Sequence, residues 1–331
     1  MTKVKVAKRS LSVVGAITLM SLSNVASAKS VNEIIKEYYP IYNKAQQCQG
    51  IMANNGSRID EDVYLKSGYC IKIDRQLEVK TKQGKRLYVV VIGEVSFNKE
   101  GENDSGSHAD TGLVGMFVLK PQGSGWEVEY ANPVMNAGAS GGGLKDWKLI
   151  QVAPDIWGFI NIHSDSHYVQ SFSEYVLMTP DPKSKKVIDS HIAAKATTEN
   201  NPIAPSGCSK DRKVKYCTSL KAKLNIDKTT LINGFYPLEI TVNGHEYNYN
   251  GSEKKTYNNQ VYKIKYEPKK GYQAPKNYPL QSCHLQLVRC FIENYRLIMI
   301  LIDGIATYYT WSCANDLKRH SKIKSHLLHL L

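Results

Sequence analysis

Along most of this chain apolar and polar positions alternate with a period of two, and helical spacing shows in one short stretch. Val31, Ile34, Ile35, Tyr38 and Tyr42 recur at helical intervals. Ser30 followed three residues later by Glu33 is the hydroxyl–carboxylate pair of a capping box. The spacing predicts a short amphipathic helix that Pro40 bends or ends. From about residue 70 the strand period takes over. Residues 87–92 read Leu-Tyr-Val-Val-Val-Ile, an unbroken apolar and β-branched run that fits a strand buried on both faces. Further strands are expected at 112–119, 126–130, 147–152, 156–162 and 168–178, separated by Gly, Pro, Asn and Asp clusters. The polar, glycine-containing stretch 98–111 reads as a long exposed loop.

The regular alternation stops near residue 180. Pro180, Pro182, Pro202 and Pro205, with Thr-Thr-Glu-Asn-Asn at 197–201, read as a linker. Beyond it the pattern is cleaner. Ala222, Leu224 and Ile226 alternate with Lys221, Lys223 and Asn225, and Leu238, Ile240 and Val242 alternate with Glu239 and Thr241. Asn243-Gly244 then predicts a tight hairpin turn. Tyr262, Ile264 and Tyr266 alternate with Lys263 and Lys265, so the rings face a core and the lysines face solvent.

These patterns define a mainly β protein. An antiparallel β-rich domain with a short N-terminal helix (29–180) is followed by a linker (181–207) and a small basic β-sandwich-like or β-meander module (208–280). Residues 281–331 form an atypical tail. It holds Cys283, Cys290 and Cys313 and four of the nine histidines, and it lacks proline. Two readings of the tail stand side by side: a helix over 284–302, or a change of reading frame near Leu280.

The first 28 residues are a different kind of segment. Lys3, Lys5, Lys8 and Arg9 precede an apolar run from 11 to 25 and the small-x-small site Ala26-Ser27-Ala28. This is the pattern of a cleaved secretory signal, so the mature chain is expected to begin near Lys29, in the periplasm or outside the cell. No later stretch reaches the roughly 20 apolar residues of a spanning helix. In an exported chain the seven cysteines suggest disulfides, and proximity favours Cys48 with Cys70 and Cys208 with Cys217.

Charge first suggests nucleic acid and then argues against it. The formal net charge is +13. The signal carries four of those charges. The first domain is nearly balanced, and residues 209–280 carry 14 Lys and Arg against 6 Asp and Glu. The alternation spreads those lysines over a solvent face instead of interleaving them with stacking rings. The expected partner is therefore an anionic envelope component or polysaccharide, not nucleic acid.

Three constellations bear on chemistry. His163-Ser164-Asp165-Ser166-His167 places two imidazoles and a carboxylate on one strand face. Alternatively, a turn at 164–166 would make His163 and His167 cross-strand neighbours. Either geometry suits Zn²⁺ or another divalent metal. Gly138-Ala139-Ser140-Gly141-Gly142-Gly143 matches a serine-nucleophile pattern superficially, but a strand follows where the nucleophile elbow needs a helix. It reads as a glycine turn. His108 and Asp110 are the upstream acid–base candidates. The chain lacks the signature of a particular reaction. Its pattern favours an exported, non-catalytic binding or envelope-associated protein without a cofactor, with a metal-dependent hydrolase using His163, Asp165 and His167 as the alternative.

Overall fold

The computed structural model describes residues 28–60, 63–167, 170–198, 219–247 and 253–280. It is mainly β, with one helix among these residues. Helix α1 (Val31–Tyr38) opens with the predicted capping box: the Ser30 N–H donates to Glu33 Oε2 at 2.7 Å, and the Glu33 N–H to Ser30 Oγ at 3.3 Å. It stops one residue earlier than Pro40 requires, and Tyr42 lies in the next strand, 60% exposed.

Strands β1 (Ile41–Asn43), β2 (Cys48–Asp60), β3 (Val63–Thr81), β4 (Gly84–Phe97), β5 (Leu113–Gln122) and β6 (Gly125–Asn136) form a first antiparallel run in chain order. A two-strand clip follows, β7 (Gly138–Ala139) and β8 (Gly142–Gly143). Next come β9 (Lys148–Ala153), β10 (Ile156–His167), β11 (Gln170–Asp181) and β12 (Lys186–Thr198), paired antiparallel in that order. The last run is a meander of β13 (Ser219–Ile226), β14 (Leu238–Tyr247), β15 (Glu253–Glu267) and β16 (Gly271–Gln273). The Cys48–Cys70 disulfide joins β2 to β3 as expected, whereas Cys208, Cys217 and the tail lie outside the described residues.

Strand β12 occupies much of the span read as a linker. It pairs with β11 along its length, touches β6 through Lys186 and Ala131, and pairs with β13 from Lys195 to Thr197. Pro180 is accommodated at the end of β11, opposite Val187. It therefore marks a strand end, not the start of a linker.

Three apolar layers result. Alternate residues of β4 and β5 point to opposite sides, as their unbroken apolar sequence requires. Val89, Val91, Leu113 and Phe117 meet Ile34, Ile35 and Tyr39 of α1 on one side. Tyr88, Val90, Val114 and Met116 meet Phe159, Val176, Met178 and Val187 on the other. The reverse face of β11 and β12, with Leu177 and Ile192, packs on Leu220, Ile240, Tyr262, Ile264 and Tyr266 of the meander.

The predicted hairpin at Asn243-Gly244 is absent. Strand β14 continues through it to Tyr247, and the two residues sit at a register shift between Val242 and Gly244. Gly244 has φ +121°, and a Cβ there would lie 1.9 Å from the Ser219 carbonyl oxygen. The glycine thus serves a bulge with close backbone approach rather than a turn.

Candidate polar site between the sheets

The face of β10–β12 that meets β4 and β5 is apolar at one end and charged at the other. On β10 Phe159 is followed along the same face by His163 and Asp165. On β11 Met178 and Val176 give way to Glu174. On β12 Val187 gives way to Asp189 and His191. Glu174 pairs with Ala193 and Val176 with His191 in one unbroken register, so Glu174 and His191 are diagonal neighbours on one face; the shift that leaves Ala194 as an extra residue on β12 lies beyond them.

The result is a row of four ionisable groups across three strands. Glu174 Oε1 lies 2.9 Å from His191 Nδ1 and 3.3 Å from His163 Nδ1, and His191 Nε2 lies 3.4 Å from Asp189 Oδ2. A carboxylate oxygen accepts, so in each of these contacts Nδ1 is the donor. Burial penalises the charged form of His191, but the Asp189 and Glu174 carboxylates outweigh it and push its pKa up to about 10. The hydrogen bond from His191 in turn holds Asp189 below the usual carboxylate range, against its burial. His163 Nε2 is buried without a hydrogen-bond partner, and the ring meets Phe172 edge-on with centroids 6.0 Å apart.

This arrangement disfavours a general-base role for His191. Both of its nitrogens are donors engaged by carboxylates, so it has no lone pair with which to act as a base. The row fixes side chains in place.

Strand β10 runs unbroken through Ser164–Ser166, so the extended alternative holds and the cross-strand turn does not. His163 and Asp165 share a face, but His163 faces Glu174 and Asp165 faces Phe172. The side chain of His167 lies outside the described residues. Among the described residues no three His, Cys, Asp or Glu side chains are grouped to hold a metal ion.

His108 and Ser140 do meet, with His108 Nδ1 3.2 Å from Ser140 Oγ. The turn is a tight one, with Ser140 at φ +52° and Gly141 at φ +73°. The Gly141 N–H, next to the serine, donates to the Asp110 carbonyl at 2.7 Å, while the Asp110 side chain accepts from the Ser107 N–H at 2.6 Å. The backbone donor best placed for an oxyanion is therefore already engaged, and the pair clasps loop to clip. The glycines permit close packing: a Cβ on Gly112 would lie 2.0 Å from the Gly142 oxygen.

Beside the charged row lies an open groove of about 560 Å³. Its walls are Met52, Ala53 and Asn54 of β2, Lys66 of β3, Val134, Met135 and Asn136 of β6, and Asp189 and His191 of β12. Glu174, Asp189 and His191 were not singled out from the sequence. The available signal was a charge replacing an apolar residue on an otherwise apolar strand face.

The meander bears the second candidate surface. Tyr257, Tyr262 and Tyr266 are buried, and Lys221, Lys223, Lys263 and Lys265 are exposed, as the alternation predicts. Lys263 is tied to Asp227 at 3.1 Å and stands opposite Glu239 in the register. Lys221, Lys223 and Lys265 make no ion pair with a described residue.

The chain matches no protein-family model, no curated protein and no solved structure. Among the described residues no helix is long and apolar enough to cross a membrane.

Proposed function

We propose that this is an exported, non-catalytic binding protein whose lysine-bearing meander face receives an anionic envelope component or polysaccharide. The observation that carries the reading is the segregation on β13 and β15, where the tyrosines are in the core and Lys221, Lys223 and Lys265 project into solvent. Between residues 219 and 280 ten lysines stand against five carboxylates, so the face attracts polyanions at low salt. Occupation of both His191 nitrogens and of the Gly141 N–H favours binding over catalysis. The signal-like pattern of residues 1–28 supports export.

The test is salt-gradient elution of the mature protein from a dextran sulfate matrix. Lys221→Glu/Lys223→Glu/Lys265→Glu should elute at clearly lower salt than the wild type. Identical elution would remove this reading.

A further inference from the structure

The inter-sheet groove is built more elaborately than stability requires. Glu174, at the centre of the row, is buried, and burying a charge is often neutral or costly compared with an apolar packing of the same volume. Here the row fixes Asp189 and His191, the two groups it presents to the groove. Glu174 anchors His191 from behind at 2.9 Å, and His163 adds a second donor to the same oxygen. Side chains locked by a supporting layer are characteristic of a prepared binding wall.

The lining defines the ligand's chemistry. Asn54 and Asn136 each offer an amide donor and an acceptor. Lys66 donates, Asp189 accepts, and Met52, Val134 and Met135 supply apolar surface between them. The wall carries one ammonium, on Lys66, and one carboxylate, on Asp189, and the His191 imidazolium is matched by buried Glu174, so the charges balance. A strongly anionic ligand would meet Asp189, and a cationic one would meet Lys66. An apolar ligand would strip water from the two carboxamides, Lys66 and Asp189 without replacing it. A neutral molecule that carries many hydroxyls on a C–H framework satisfies donors, acceptors and apolar wall together.

We propose that this groove is a saccharide site that takes one or two rings of a neutral sugar. The volume lies within the ordinary range for small-ligand pockets. The inference rests on the binding reading above but not on its lysine face, and either site can fail without the other.

Saturation-transfer NMR and titration calorimetry on the mature protein, with cellobiose, maltose and N,N′-diacetylchitobiose as probes, test it. Glucosamine and glucose 6-phosphate serve as charged counterparts. At least one neutral disaccharide should bind saturably, and Asn136→Leu and Asn54→Leu should each weaken it about tenfold. The triple lysine reversal should leave that affinity unchanged. Should Asn136→Leu fail to fold by circular dichroism, Lys66→Ala, on an exposed position, takes its place. Absence of binding by all three disaccharides, binding of the charged sugars alone, or full affinity in the groove variants would overturn the site.

Discussion

His163 and His191 stand on strands that are not neighbours, yet both aim Nδ1 at one oxygen: Glu174 Oε1 lies 3.3 Å from the first and 2.9 Å from the second. The carboxylate on the middle strand thus ties β10 and β12 together on the face where the two sheets part.

Replacing that carboxylate should be costly. Glu174 is buried, so Glu174→Gln leaves the His191 imidazolium facing an amide and should lose about 3 kcal/mol of stability. Urea unfolding measures the loss. In the double variant with His191→Gln the two losses should be less than additive, because both remove the same contact.

The same row predicts a pH profile. His191 rises from 6.5 in the unfolded chain to about 10 in the fold, so its contribution is complete below pH 6.5 and disappears as pH climbs through 10. Asp189 is lowered from 3.8, so its contribution is present above that pH and is lost on acidification. The stability gap between wild type and His191→Gln should therefore be widest from about pH 4 to 6.5 and close toward pH 10. A gap that grows from pH 6.5 to 10 would contradict the assigned charge state.

Phe117 tests the layer beneath the helix. It is fully buried and makes edge contacts with Tyr38 and Tyr39 at centroid distances of 4.9 and 6.2 Å. Phe117→Ala should cost about 3–5 kcal/mol, and the urea midpoint should fall at nearly constant slope.

Gly244 tests the bulge. Gly244→Ala adds a Cβ that would clash with the Ser219 carbonyl at a backbone conformation strained for alanine, and should lose about 2 kcal/mol or more. A hairpin turn at this place would tolerate Asn243→Asp readily and would leave Tyr247 unpaired. Hydrogen exchange should instead show His245 protected between β13 and β15, and Glu246 protected against β15.

What could be read directly from the chain was local. The capping box at Ser30 and Glu33, the doubly buried run at 87–92 and the split of tyrosine from lysine on β15 each depend on residues a few positions apart. Asn243-Gly244 misled because a turn signal is also local, whereas the bulge is imposed by two flanking strands. β12 was hidden because small residues, Ala194 and Ala196, take two of its buried positions and prolines precede it. The charged row was invisible for a further reason: Glu174 meets His191 diagonally across β11 and β12, in a pairing register that no spacing in the sequence specifies.

Strand β12 is also a matter of timing. As the chain emerges amino end first, β1 to β6 can assemble around α1 while Tyr88, Val90, Val114 and Met116 still lack the strands that will cover them. The shield arrives only with β9 to β12, and the meander can attach only afterwards, to the reverse face of β11 and β12. The order of synthesis therefore makes the middle of the chain its period of greatest exposure to aggregation, and β12 the element that ends it.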